Sequence, residues 1–410
     1  MIRKPLKNPQ KKEIRDLERK IDRSTPDYAK FEKDISTYFK GRVDRLRIVK
    51  TTRTPSGQIL DWVPIESQHP SGIIAHPPPE SKRVISSKRE KVHSARFELE
   101  DSAVERGPKG TVPILRKDLS KMHFTKSLKD YLSRDGQSRK LNIRKLSPPD
   151  PVDQGHRYSN TAQGITCFGG EGDLSCFDPY TEYSGDFSLI QIGLINGSLG
   201  YPQTVEAGWQ EYENLTGDWI PHLFLYYTTN GYSQDGNNLG GYNQDVDGWI
   251  QYDDALYPGA TYTPYGTPGG DCYEIFIKFQ LYQGNWWFKC QDRWLGYYPG
   301  SLFSALGDHA DQIGFWGEIF NSQYDPNNPR VNTTTTDMCS GYWAEYDFPW
   351  CGYMHNLMVQ IDQDGSLIDY DGGTGWASNP DSYDIITGNG GGWGSYILLG
   401  GPGVGWIAGG

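Results

Sequence analysis

From Tyr273 to Leu281 the chain alternates: Ile275, Ile277, Phe279 and Leu281 fall on one side, Glu274, Lys278 and Gln280 on the other. A period of two sends successive side chains to opposite faces, so the stretch is a strand with one buried face. Residues 220–229, 286–290, 354–361 and 395–399 have the same texture. Asn230-Gly231, Asp235-Gly236, Pro268-Gly269-Gly270 and Asp364-Gly365 punctuate them with turn chemistry. Many short strands with glycine turns specify an all-β chain, an antiparallel two-sheet β-sandwich or jelly roll. The 49 Gly, 27 Tyr and 13 Trp, with only 36% hydrophobic residues, suit strands better than helices. After residue 160 one helix is expected, over Leu302 to Gln312.

Charge divides the chain. Residues 1–150 hold 35 Lys+Arg against 20 Asp+Glu, and residues 151–410 hold 5 against 31, so balances of +15 and −26 make up the net −11. Such asymmetry marks either a nucleic-acid arm or two complementary segments. Acids interspersed through the basic part favour complementary segments and no nucleic-acid partner. Ile14, Leu17 and Ile21, then Tyr28, Phe31, Ile35 and Tyr38, recur at helical spacing on either side of Pro26. They read as a solvated helical lead over residues 1–44. A basic region and linker follow over 45–150, with a strand near Leu46–Val49, a turn at Thr54–Gly57, a strand over Ile59–Pro64 and an extended His76-Pro77-Pro78-Pro79. The cluster Ser147-Pro148-Pro149-Asp150-Pro151 bounds the all-β domain of residues 151–410.

All six cysteines (Cys167, Cys176, Cys272, Cys290, Cys339, Cys351) lie in the acidic part. None has C-x-x-C spacing, which favours disulfides over zinc; nearest-neighbour pairing gives 167–176, 272–290 and 339–351. Sequons at Asn196, Asn214 and Asn332 share the region. Together they point to a secreted protein. The start, Met1-Ile2-Arg3-Lys4-Pro5-Leu6-Lys7, carries no apolar signal-peptide run, and the reading is of an incomplete N-terminus. No run of 18 apolar residues is present to span a membrane.

Two glutamates stand out. One lies in Thr204-Val205-Glu206-Ala207-Gly208-Trp209-Gln210, the other in Gly314-Phe315-Trp316-Gly317-Glu318-Ile319-Phe320. Each sits in strand-like sequence beside tryptophan and glycine. Burial disfavours the charged form of a carboxyl, and two such groups suit chemistry that needs one protonated and one ionised. Gly-x-Ser-x-Gly, His-Glu-x-x-His and Walker motifs are absent, and the cysteines read as structural. Gly388 to Trp393 neither follows a strand nor opens a helix, so it is no phosphate cradle. Asp362-Gln363-Asp364-Gly365 and Asp369-Tyr370-Asp371-Gly372 lack calcium-loop spacing and read as turns; no metal and no cofactor is expected. His222 and His309 read as surface or core residues. A carboxyl pair serves peptide hydrolysis, where one activates water and the other polarises the carbonyl. It serves glycoside hydrolysis equally. A non-catalytic carbohydrate-binding module is a third reading, with tryptophans stacking on sugar.

From about Tyr158 onward the chain resembles the neprosin family, secreted glutamic peptidases that cleave next to proline. The pieces run in family order: Ser188-Leu189-Ile190-Gln191, Val205 to Gln210, Leu225-Tyr226-Tyr227-Thr228, Gly284-Asn285-Trp286-Trp287, Leu295 to Pro299, Leu302-Phe303, Phe315 to Ile319 and Leu399 to Gly403. Gly57 to Pro64 with Gln68 is similar to the family's activation-peptide region. One departure is Phe315-Trp316-Gly317-Glu318, where a second glycine often precedes the glutamate. The resemblance implies a β-sandwich with Glu206 and Glu318 as the catalytic pair. It implies cleft roles for Gln191, Trp209, Tyr227, Trp287 and Trp316, and proline-containing polypeptide substrates. With it the charge division takes on a mechanism, as a hypothesis: a basic N-terminal pro-region sits on the acidic enzyme at neutral pH, loosens as carboxylates protonate, and is cut near Pro148–Pro151.

Overall fold

The computed structural model describes residues 3–5, 26–80, 91–121, 127–133, 155–325, 327–328, 332–404 and 406–408. The expected helix around Ile14 to Ile21 and the proline cluster at 148–151 lie outside these residues. Besides a short strand, Arg3–Pro5, five strands come from the N-terminal part: β1 Lys50–Arg53, β2 Ile59–Pro64, β3 Val92–Ser94, β4 Arg96–Phe97 and β5 Thr111–Arg116. The next strands are β6 His156–Cys167, β7 Gly169–Ser175, β8 Phe187–Asn196, β9 Gln203–Glu211, β10 His222–Thr228, β11 Gly240–Tyr242, β12 Ile250–Gln251, β13 Tyr262–Thr263, β14 Cys272–Tyr282, β15 Asn285–Cys290, β16 Arg293–Pro299 and β17 Ala310–Phe320; all but β13, which pairs with β4, belong to the sandwich. Then come β18 Gly352–Gln360, β19 Leu367–Asp369, β20 Trp376–Ala377, β21 Asp384–Asn389 and β22 Ser395–Gly400, and a final short strand, Trp406–Ala408, pairs antiparallel with Arg3–Pro5.

Two large sheets face each other. The seven-stranded sheet runs β11-β10-β9-β8-β17-β6-β20, and the ten-stranded sheet runs β12-β16-β15-β14-β7-β18-β22-β21 with β19 and β3 on its sides. Pairing is antiparallel apart from β3, which lies parallel to β14. Val205, Ala207 and Trp209 of β9, Ile190, Ile192 and Leu194 of β8, and Ile313, Phe315 and Ile319 of β17 turn inward. They meet Ile275, Ile277 and Phe279 of β14 in one core. Each large apolar side chain so buried contributes roughly 1.5–3 kcal/mol. The sheets close tightly over the glycines of β7: a Cβ at Gly170 would stand 2.2 Å from Cδ1 of Ile313.

The N-terminal part is more than a solvated lead. Helix α1, Pro26–Asp44, buries Tyr28, Phe31, Ile35 and Phe39, and the last three join the main core. Phe39 takes the inward place that helical spacing assigns to Tyr38; Tyr38 instead donates to the Asp245 carbonyl at 2.8 Å. Strands β1, β2 and β5 form a small sheet whose Leu60 and Trp62 also enter that core. The helix expected over Leu302 to Gln312 does not form. Gly300–Leu302 is one 3-10 turn, residues 304–308 are turns and bends, and Ala310 to Gln312 already belong to β17, paired with β6 and, from Gln312, with β8. Among the described residues no helix is long and apolar enough to cross a membrane.

Candidate active site

Period-two geometry decides what the seven-stranded sheet presents on its outer face. Glu206 stands opposite Gly193 of β8 and Tyr226 of β10, so all three share a face. Glu318 stands opposite Leu189 of the same β8, four residues from Gly193 and therefore on the same side. Between these levels lies Gln191, opposite Gly208 on one flank and Trp316 on the other. In regular strands this register offsets the two glutamates by two strands (~10 Å) and four residues (~13 Å).

Glu206 is fully buried, although it lies away from the main core. Its Oε1 accepts from Thr204 Oγ1 at 2.8 Å and from Tyr232 Oη at 2.5 Å, and its Oε2 accepts from Gln191 Nε2 at 2.9 Å. The Gln191 Oε1 is buried and has no hydrogen-bond partner among the described residues. Glu318, 1% exposed, has Oε1 2.5 Å from His156 Nδ1, and its Oε2 accepts from Trp316 Nε1 at 3.4 Å. His156 is itself clamped by Tyr158, Phe187 and Phe320, with ring centroids 6.0, 5.7 and 4.6 Å away.

Trp316 links the two carboxyls. Gly193 and Gly314 pair directly across β8 and β17 and leave a bare floor. The indole occupies it: a Cβ at Gly193 would meet Cη2 at 2.3 Å, and one at Gly314 would meet Cζ3 at 3.1 Å. The benzo edge thus lies over the residue opposite Glu206 while the N–H reaches Glu318.

Three of the expected cleft residues are elsewhere. Trp209 is one residue out of phase with Gly208, faces the core, and donates Nε1 to the Ser175 carbonyl at 2.7 Å. Tyr227 pairs with Val205 and is likewise a core residue; its neighbour Tyr226 takes the place opposite Glu206. Trp287 is on the other sheet, on the outer face of β15 among Ile250, Trp294 and Tyr297. Sequence reasoning missed His156, Tyr232 and Tyr226. His156 is 162 residues from Glu318 and carries no local motif.

The cysteines need a correction. All six are free and buried. Cys167 and Cys176 lie beyond opposite ends of β7, and Cys290 pairs five residues along β14 from Cys272. Both separations exceed the ~7 Å Cα limit of a disulfide. Cys339 and Cys351 are neighbours in space, since a Cβ at Gly352 would touch the Cys339 sulfur at 2.4 Å, yet they too are free thiols. Burial pushes the Cys167 and Cys339 thiols up to about 12, which leaves no thiolate for nucleophilic chemistry. The sequon side chains of Asn196 and Asn214 are buried, and Asn196 Nδ2 donates to the His309 carbonyl at 3.0 Å. Asp362 and Asp371 accept backbone N–H bonds from Ser366 and Gly373, as turn residues do. Among the described residues no group of three or more His, Cys, Asp or Glu is placed to hold a metal ion.

Below the site Asp186 precedes β8 and is fully buried. It accepts from Ser322 N and Oγ at 2.8 and 2.7 Å and from Thr336 Oγ1 at 2.9 Å. Burial outweighs these bonds and pushes its carboxyl up to about 7.

The molecule is thus a two-sheet antiparallel β-sandwich with two buried glutamates on the outer face of one sheet. The neprosin family model matches residues 184–402, just over half of the 410 residues, and the chain belongs to that family. Scytalido-glutamic peptidase, solved with a peptide-based transition state analog, is similar at 9% identity, covering 59% of this chain and 97% of that one with a TM-score of 0.32. SCP-B, a member of the Eqolisin family of peptidases solved with the tripeptide Ala-Ile-His, is similar at 10% identity, covering 59% of this chain and 96% of that one with a TM-score of 0.31.

Proposed function

We propose that this chain is a glutamic endopeptidase whose catalytic pair is Glu206 and Glu318. The observation that carries the reading is the outer sheet face on which both glutamates stand, with Gln191 and Trp316 between them. The offset leaves room for a water and a scissile carbonyl between the carboxyls instead of a proton shared directly. One ionised carboxylate takes a proton from the attacking water while the protonated partner polarises the carbonyl and then protonates the leaving nitrogen. The unpartnered Gln191 Oε1 supports this reading as an acceptor for the water or a substrate N–H. A pair that needs one proton favours acid conditions, and the family supports substrates cut next to proline and a secreted enzyme.

The proposal includes a latent precursor. Arg42 and Arg45 pair with Asp247 at 2.8 and 3.1 Å, and Lys117 pairs with Asp245 at 2.8 Å, each a basic N-terminal residue on an acidic domain residue. Gln68 clamps strand β12 through both its amide atoms, donating to the Gln251 carbonyl at 2.7 Å and accepting from Gln251 N at 2.9 Å. Protonation of carboxylates at low pH weakens the charged contacts and leaves the amide clamp, so release is graded. Self-cleavage near Pro148–Pro151 completes the proposal.

The test is intact mass of the purified chain across falling pH, beside Glu206→Gln and Glu318→Gln. Trimming to a product that starts near residue 150, in the wild type alone, is the expected result. If neither the chain nor a proline-containing peptide is cut, the peptidase reading fails and glycan binding becomes the question.

A further inference from the structure

The outer face of the ten-stranded sheet carries an aromatic shelf on the far side of the sandwich from Glu206 and Glu318. Trp287 of β15 and Trp294 and Tyr297 of β16 stand there with Ile250 of β12. The segment Ile73-Ile74-Ala75-His76-Pro77-Pro78-Pro79-Glu80 runs over it without helix or strand. From Ile73 to Pro79 its burial has a period of three: Ile73, His76 and Pro79 are exposed and the residues between them are partly or wholly covered, while Glu80 beyond is exposed. That is the repeat of a polyproline II helix, which three successive prolines favour.

The contacts match the conformation. Ile74 and Ala75 pack on the aromatic cluster, and Pro78 is buried. Tyr297 Oη accepts the Ala75 N–H at 3.1 Å, and Lys289 holds Glu80 at 2.6 Å while its Nζ sits 5.4 Å from the Trp294 ring centre. The indole N–H groups of Trp287 and Trp294 are buried and have no hydrogen-bond partner among the described residues, residues 73–80 included, so the contact with the shelf is made by packing, the Ala75 N–H and Glu80. A groove of about 1180 Å³ continues past Glu80, lined by Phe276, Lys278, Lys289 and Trp294.

We propose that this shelf is a docking site for extended, proline-rich polypeptide segments followed by an acidic residue, and that residues 73–80 occupy it in cis. Aromatic grooves read polyproline II because the ligand is already ordered before it binds, so little conformational entropy is lost. A polypeptide held there is outside reach of the two glutamates, so the shelf recruits and does not cut.

The test uses the full chain carrying Glu206→Gln, so that the peptidase reading does not enter the outcome. The cis segment is loosened in two separate variants, Pro77→Ser with Pro78→Ser and Pro79→Ser, or Ala75→Pro, which removes the N–H bound by Tyr297. A labelled peptide with the sequence of residues 73–80 is titrated by anisotropy. Saturable binding to either loosened chain, at least ~10-fold tighter than to the unloosened chain, is expected from relief of intramolecular competition. Adding Tyr297→Phe and Lys289→Glu lowers that affinity roughly fivefold to tenfold, as loss of one hydrogen bond and one ion pair requires. Absence of binding to both loosened chains, or equal binding of a peptide with its prolines changed to alanine, overturns the proposal.

Discussion

Trp316 and Gly193 cannot both carry a side chain where they meet: a Cβ on Gly193 would stand 2.3 Å from Cη2 of the indole. The glycine is therefore what lets the ring lie flat between the two carboxyls.

Gly193→Ala should push the indole off the sheet. Overpacking of this kind costs about 1–3 kcal/mol, and the Glu318 contact from Trp316 Nε1 is lost with it. Urea melts and kcat/KM on a peptide substrate should both fall, with Gly314→Ala milder because its ring contact is 3.1 Å. Unchanged activity in Gly193→Ala would show that the ring position is incidental.

His156 acts on Glu318 through their 2.5 Å contact. His156→Ala leaves a buried carboxyl short of one partner, at a cost of about 1–3 kcal/mol, and should lower kcat with little change in KM. His156→Gln, which still offers a donor, should recover part of kcat. Equal loss in both variants would mean that His156 serves packing alone.

The buried acids set the sign of stability against pH. Burial raises Asp186 from 3.8 to about 7 and Asp384 from 3.8 to about 6. A folded-state pKa above the unfolded one means that the fold binds the proton more tightly. The stability gained is full below about pH 4 and is lost as pH rises through 6 and 7. Other things equal, thermal melts should show a higher Tm at pH 5 than at pH 8, and Asp186→Asn should flatten that slope. A slope unaltered by Asp186→Asn would refute the assignment.

The pairing of Arg42 and Arg45 with Asp247 holds α1 to the sandwich. Arg42→Glu with Arg45→Glu should expose the helix, read as faster hydrogen exchange over residues 26–44 at neutral pH. Added salt should speed exchange in the wild type, by screening attraction, and slow it in the double variant, by screening the new repulsion from Asp247. Identical exchange in both chains would leave burial of Phe31, Ile35 and Phe39, with the Tyr38 hydrogen bond to the Asp245 carbonyl, as what holds the helix.

Much of the site is legible in the chain itself. Glu206 and Glu318 stand out because each interrupts a strand-like apolar stretch beside glycine and tryptophan, a pattern confined to seven residues that needs no partner. Trp209 and Tyr227 are each one residue from the right face. Choosing between Trp209 and Gly208, or between Tyr227 and Tyr226, requires knowing which parity meets the second sheet, and aromatic residues occur on both. Trp287 has the same local texture as Trp316 but stands in the opposite sheet.

The sequence by itself determined the strands over 220–229, 273–281, 286–290, 354–361 and 395–399, the charge division and the two glutamates, because alternation, glycine and charge act over a few residues. The strand expected near Leu46–Val49 forms instead over Lys50–Arg53, and β21, Asp384–Asn389, runs into the glycine stretch read as following none. The tertiary structure alone decided that β8 runs between β9 and β17, with Gln191 and the bare pair Gly193 and Gly314 at the levels between the carboxyls. It alone brought His156 across 162 residues to Glu318 and set Cys167 apart from Cys176 and Cys272 apart from Cys290. Register between distant strands is set by the sum of all pairings and by the closing of one core. No short stretch of chain contains that sum.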